Sequence, residues 1–225
     1  MLVDTASPVI GVAAWDGDDC RGAWTTRLSA GAEGWLAPTL AEALTHLDGL
    51  DAVAVVTGPG TFTGLRVGLA HALGLALARG VPVIPVPTLP LRAAALPGSA
   101  YTLAILDARK GRLYAQLFDT RGAVPVPLGP PGDVPPGDLE AMLAASGVPS
   151  ERFPEVSAVG EGVGVVAREL ASLGVHVPGV AEDAALRAAG ALLRTIPPRD
   201  AAAVVPEYLR EPDAQPPRGL PVMIA

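Results

Sequence analysis

Short apolar runs broken by turn formers open the chain. Met1–Thr5, Val9–Trp15 and Cys20–Leu28 read as strands separated by Ala-Ser-Pro and Asp-Gly-Asp-Asp. The period then lengthens. Leu36, Leu40, Ala43, Leu44 and Leu47 recur at helical spacing, which predicts an amphipathic helix with Pro38 either opening it or kinking its first turn. Asp51–Thr57 is an apolar strand, and Gly58–Gly80 turns from it into a helix rich in small residues. A strand at Val81–Val86 and a helix from Thr88 to Leu96 follow. We group 1–97 as a first lobe of order βββαβα.

A second lobe, 98–211, is expected after Pro97-Gly98. Tyr101–Asp107 and Leu113–Asp119 read as antiparallel strands around the turn Arg109-Lys-Gly-Arg112. The stretch 128–137 is rich in proline and glycine and predicts an exposed connection. A short helix at Asp138–Ala145, a strand at Val156–Val159 and helices at Gly162–Leu173 and Glu182–Thr195 come next. The proline-rich stretch 212–225 is expected to be a flexible tail. The lobes echo each other, since residues 2–16 lie against 105–119 without a gap. Asp4 then pairs with Asp107, Ile10 with Leu113 and Trp15 with Phe118. Each copy is a strand ending in aspartate, a tight turn and a returning strand, the mark of an internal duplication.

The segment from Gly58 to Gly80 carries the most information. Gly64, Gly68 and Ala72 fall on one stripe of the helix, with Leu65, Leu69 and Leu73 beside it. Glycine inside a helix costs about 1 kcal/mol relative to alanine. A close contact must therefore offset Gly64, Gly68 and Gly74, through another helix of this chain or of a partner. A Walker-type phosphate loop does not fit, because Gly64 comes one residue late after Gly58 and no lysine follows. A membrane helix does not fit either: Arg66 and His71 interrupt an apolar stretch shorter than the ~20 residues a bilayer needs.

Composition narrows the function. The net charge is −7 and the pI near 4.9, which argues against this chain gripping a nucleic-acid backbone alone. Cys20 is the only cysteine, and His46, His71 and His176 are scattered, so neither a disulfide within the chain nor a metal centre is expected. The N-terminus lacks the basic head of a signal peptide. A cytoplasmic protein with a short first strand is the expectation.

The repeated strand–Asp–turn–strand unit resembles the actin, Hsp70 and sugar-kinase fold, a two-lobed α/β architecture whose two turns clamp ATP phosphates. More closely, the chain resembles the bacterial TsaB (YeaZ) family. The matching pieces are Val3-Asp-Thr-Ala6, the Gly-Pro-Gly-Thr-Phe-Thr-Gly-Leu-Arg run from Gly58 and Asp107-Ala-Arg-Lys-Gly-Arg-Leu-Tyr114. Val159-Gly-Glu-Gly162 and Pro206-Glu-Tyr-Leu-Arg210 complete the set. The resemblance implies a non-catalytic dimerisation subunit in making N6-threonylcarbamoyladenosine on tRNA beside the anticodon, with threonylcarbamoyl-adenylate as donor. Its implied partners are a catalytic paralogue, TsaD, and an ATPase, TsaE, with a homodimer in their absence. tRNA is implied only through the complex, and no membrane and no cofactor of its own. The implied pairing surface is Leu36, Leu40 and Leu44 with Thr61, Phe62, Gly64, Leu65, Arg66, Gly68, Leu69, Ala72 and Leu75. The chain departs from the family in lacking a histidine in 29–38, shortly before the first helix.

Asp4, Thr5 and Asp107 are expected to be degenerate nucleotide-cleft positions. Asp4 is followed by Thr5-Ala-Ser-Pro8 rather than glycine, which favours strand-end capping over a phosphate role. The basic turn after Asp107 reads as a solvated hairpin tip or an anion-attracting loop. Arg66 either steers a partner's carboxylate or runs out to solvent. Tyr208 and Arg210 are expected to dock the C-terminal segment on the first lobe. The competing class is an enzyme in its own right, an ATP-dependent kinase or a glycoprotease-like peptidase.

Overall fold

The structure, a computed structural model, describes residues 1–28 and 30–210. The expected tail, 212–225, lies outside the described residues. The first lobe contains β1 (Leu2–Asp4), β2 (Val9–Asp16), β3 (Asp19–Arg27), α1 (Ala32–Leu44), β4 (Val53–Gly58), α2 (Phe62–Arg79), β5 (Val83–Pro87) and α3 (Thr88–Ala93). Its sheet runs β3-β2-β1-β4-β5, with antiparallel β1–β2 and β2–β3 and parallel β1–β4 and β4–β5. Parallel neighbours need crossovers, and α1 and α2 supply them.

Alternation along the strands builds two cores. Val3, Val12, Val53 and Val55 pack under Leu36, Leu40, Leu69 and Ala72 of α1 and α2. Leu2, Ala13, Ala54 and Val56 point the other way, toward Leu91 of α3. Pro38 lies inside α1, because the helix starts at Ala32 after Gly31 takes a left-handed φ of 78°. The helix continues through the proline, and the Thr39 hydroxyl donates to the Trp35 carbonyl at 2.7 Å.

The second sheet is formed by β6 (Tyr101–Arg109), β7 (Arg112–Asp119), β8 (Val126–Pro127), β9 (Gly132–Val134) and, after α4 (Leu139–Ala145), β10 (Val156–Val159). Its order is β10-β6-β7-β8, with β9 also on β7, so the stretch 128–137 carries a strand rather than a bare connection. Leu103, Ile105 and Leu117 face Leu139, Leu143 and Leu170, the last from α5 (Ala167–Ser172). On the opposite face Ala104, Leu106 and Phe118 meet Leu89 and Ala93 of α3. Thus α3 is a wedge between the sheets.

Two predicted helices are broken. The one expected at Gly162–Leu173 opens as a 3-10 turn over Val163–Val166 before α5, as Gly162 and Gly164 disfavour α-helix. The one expected at Glu182–Thr195 is split into α6 (Ala184–Arg187) and α7 (Gly190–Thr195). Gly190 lies against the Trp15 ring, where a Cβ would come within 2.5 Å. Leu186 and Leu192 of these helices join the first lobe's core, as do Ala201 and Val204. The chain therefore returns to the first lobe well before the C-terminal segment expected to dock there.

The echo between the lobes is visible as two hairpins, each flanked by a parallel strand: β1–β2 beside β4, and β6–β7 beside β10. Their registers differ by one residue. Asp4 pairs with Gly11, whereas Asp107 pairs with Leu113, because the second hairpin closes more tightly and carries a bulge between Asp107 and Arg109.

Candidate functional site

The cleft between the lobes begins where β1 ends. Asp4 accepts the Ala6 N–H at 3.0 Å, which caps the turn as expected, and its second oxygen accepts Arg92 Nη1 at 2.5 Å. From the other lobe Glu161 accepts Arg92 Nε at 3.0 and 3.1 Å, and its Oε1 forms an ion pair with Nη2 at 2.9 Å. The Ser7 hydroxyl donates to Glu161 Oε1 at 2.6 Å. Arg92 is 5% and Asp4 3% exposed, whereas the Glu161 side chain is 15% exposed and, with both, lines a cavity of about 160 Å³. Sequence reasoning missed Arg92. The available signal was its standing as the one charge in the apolar run 88–96.

Burial pushes the Glu161 carboxyl up, but the Arg92 charge, its hydrogen bonds and that of Ser7 outweigh this and hold it below its ordinary 4.5. Burial likewise lowers Arg92, yet Asp4 and Glu161 keep its guanidinium above the ordinary value. A carboxyl whose folded value is depressed contributes stability present above the unfolded value and lost as pH falls through the folded one. Melting temperature should therefore fall as pH drops below about 4.5. Glu161→Gln should be less stable at neutral pH and show a flatter acid limb. An unchanged acid limb in that variant, followed by circular dichroism, would contradict this assignment.

The glycine stripe faces the same cleft, and this corrects the reading of it as a partner surface. The Thr5 hydroxyl donates to the Gly64 carbonyl at 2.8 Å, and the Thr61 N–H donates to the Ala6 carbonyl at 2.7 Å. A Cβ at Gly64 would lie 2.1 Å from the Thr5 carbonyl oxygen, and one at Gly68 would lie 2.1 Å from Thr5 Oγ1. The small residues admit the β1–β2 turn of their own chain. Leu36, Leu40, Leu65, Gly68, Leu69 and Ala72 are accordingly buried, and Leu44, Thr61, Gly64 and Leu75 are partly buried. The amphipathic pattern identified this face as apolar, but core packing consumes it.

Asp107 turns back on its own hairpin. It accepts the Arg109 N–H at 2.8 Å and Arg109 Nη1 at 3.3 Å. Lys110 and Gly111 take φ of 53° and 69°, the left-handed pair of a tight two-residue hairpin turn. Asp107 and Arg109 join Ser7, Thr61 and Glu161 around a small cavity of about 170 Å³.

The outward face of α2 is different. Phe62, Thr63, Arg66, Ala70 and Leu77 are exposed at helical spacing, Leu77 at 71%. Phe62, Arg66, Ala70 and His71 line a groove of about 490 Å³ with Glu33 at the start of α1. Arg66 lies 3.6 Å above the Phe62 ring and donates to the Tyr208 hydroxyl at 3.3 Å. Phe62 and Tyr208 have ring centroids 5.1 Å apart. The Glu207 N–H donates to the Thr57 carbonyl at 2.7 Å, so Tyr208 docks on the first lobe. Arg210 instead donates to Ala108 of the second lobe at 3.1 Å. Among the described residues no group of His, Cys, Asp and Glu is arranged to hold a metal, and no helix is long and apolar enough to cross a membrane.

Residues 29–125 match the family described as TsaD: tRNA N6-adenosine threonylcarbamoyltransferase. The tRNA threonylcarbamoyladenosine biosynthesis protein TsaB of Escherichia coli is 35% identical over 51% of this chain and 52% of its own length. The chain is thus similar in part to proteins of the TsaB (YeaZ) family. An uncharacterized protein of Mycobacterium leprae is also 35% identical, over 66% of this chain and 43% of its own. The chain spans about half the length of the curated relatives it matches. A Pseudomonas aeruginosa crystal structure, of an uncharacterized protein with similarity to peptidase YEAZ, superposes with a TM-score of 0.76 at 22% identity. It covers 93% of this chain and 98% of that one. The two sheets and this superposition give the TsaB-like chain the two-lobed α/β fold of the actin, Hsp70 and sugar-kinase class.

Proposed function

We propose that this chain is a non-catalytic, partner-binding subunit in the synthesis of N6-threonylcarbamoyladenosine on tRNA. The observation that carries the reading is the occupied cleft. Asp4, at the place where kinase-like relatives of this fold present phosphates and metal, is already neutralised by Arg92, and Asp107 is engaged with its own turn. Stand-alone kinase or peptidase chemistry is left without a free acid at these positions. The relationship to TsaB and TsaD proteins supports the pathway. The partners proposed are the catalytic paralogue TsaD and the ATPase TsaE, with a homodimer when they are absent. A net charge of −7 supports tRNA being reached through a partner rather than by this chain alone.

The pairing surface we assign is the outer face of α2 with the start of α1. Phe62, Arg66, Ala70 and Leu77 offer exposed apolar and aromatic area beside Glu33, the pattern of a contact with an apolar centre and a charged rim. Sedimentation velocity of the purified chain mixed with the catalytic paralogue of the same organism tests this. One species heavier than either component is expected. Two independently sedimenting proteins at micromolar concentration would contradict it.

A further inference from the structure

Arg92 stands where three parts of the fold meet. It rises from the wedge helix α3, and its donors reach opposite lobes: Nη1 to Asp4 at the end of β1, Nε and Nη2 to Glu161 in the turn after β10. That turn is held down on β6 of its own lobe, where only glycine fits. A Cβ at Gly160 would lie 2.3 Å from the Ile105 carbonyl oxygen, and one at Gly162 would lie 2.7 Å from the Leu106 carbonyl carbon. Two carboxylates from separate lobes, Asp4 buried and Glu161 mostly so, repel each other unless a cation sits between them. In a site that binds a metal–ligand complex, such a cation can arrive with the ligand. Here it is part of the chain.

We infer that Arg92 is a built-in counter-ion that holds the two lobes closed without any ligand, so that closure of this cleft is constitutive. Ser7 adds the β1–β2 turn to the same lock through its 2.6 Å bond to Glu161. Leu89 and Ala93 on one side of α3 and Leu91 on the other seat the wedge against both sheets, which fixes where the guanidinium lies. The inference rests on this geometry and stands independently of the pathway proposed above.

Removing one partner of a buried ion pair leaves an uncompensated charge, whereas removing all partners together is far milder. Amide hydrogen exchange on the full chain reads the difference. In Arg92→Met, segments 4–7 and 160–163 should exchange about a hundredfold faster or more, while amides inside β6 and β7 keep native protection. Adding Asp4→Asn and Glu161→Gln to Arg92→Met should restore most of that protection. Should Arg92→Met fail to fold, Glu161→Gln, which keeps the Asp4 contact, should show the same local pattern at smaller amplitude. The native chain should exchange identically with and without magnesium ATP. Native-like exchange at 4–7 and 160–163 in both single variants would overturn the inference. So would increased protection of the native cleft on adding magnesium ATP.

Discussion

Gly64→Ala should destabilise the protein by about 2–3 kcal/mol, and Gly74→Ala, in the same helix, should stabilise it by about 1 kcal/mol. Alanine is the better helix former at both positions, so propensity alone predicts a gain at each. Surroundings reverse the sign at one. A Cβ at Gly64 would meet the Thr5 backbone oxygen at 2.1 Å, and that oxygen cannot swing aside without moving the end of β1. At Gly74 nothing lies within 4 Å. Gly68→Ala should fall on the destabilised side as well. Its Cβ displaces the Thr5 hydroxyl from the Gly64 carbonyl, which leaves a shielded polar group without its partner. Urea unfolding of the three variants decides the matter. A Gly64→Ala protein at least as stable as the native one would mean that the stripe does not pack inside the chain.

That comparison also shows what a sequence can and cannot tell. Spacing alone identified a stripe of small residues that needed a close neighbour, and the strand at Val156–Val159 and the two hairpins headed by Asp4 and Asp107 were equally legible. The direction of the stripe was not. Periodicity says which residues share a face, but an intrachain turn and a partner helix place the same demand on that face. The stripe's neighbour turned out to be Thr5, far away in sequence. Arg92 escaped for a related reason. A single arginine in an apolar helix has no periodicity, and its role depends on two carboxylates brought together by different strands. The break between α6 and α7 reflects packing on Trp15 of the first lobe, again a long-range contact. Local chemistry specified the elements, and contacts between distant segments specified their faces.

Ala70→Glu should abolish association with the catalytic paralogue and leave the fold intact. Ala70 is exposed on the outer stripe of α2, in the middle of the groove formed with Glu33, Phe62, Arg66 and His71. Glutamate is a good helix former, and exposed substitutions of this kind stay within about 0.5 kcal/mol of native stability. In a complex the same carboxylate would be trapped beside Glu33. An uncompensated charge buried at an interface costs about 3–5 kcal/mol, a loss in affinity of more than about a hundredfold. Gly68→Leu is the contrasting case, since its damage should appear as a lowered melting temperature rather than as a clean loss of binding. A well-folded Ala70→Glu that sediments with the partner as the native chain does would move the interface elsewhere.

Formation of threonylcarbamoyladenosine on purified tRNA, with the paralogue, the ATPase and threonylcarbamoyl-adenylate supplied, tests the scaffold reading most directly. Modification should require the native chain, stop when it is omitted, and fall with association when Ala70→Glu replaces it. Arg92→Met combined with Asp4→Asn and Glu161→Gln should support modification, because the cleft performs no chemistry in this account. Modification by native chain and partners that is lost in a folded, partner-binding form of that triple variant would contradict the account and place chemistry in the cleft.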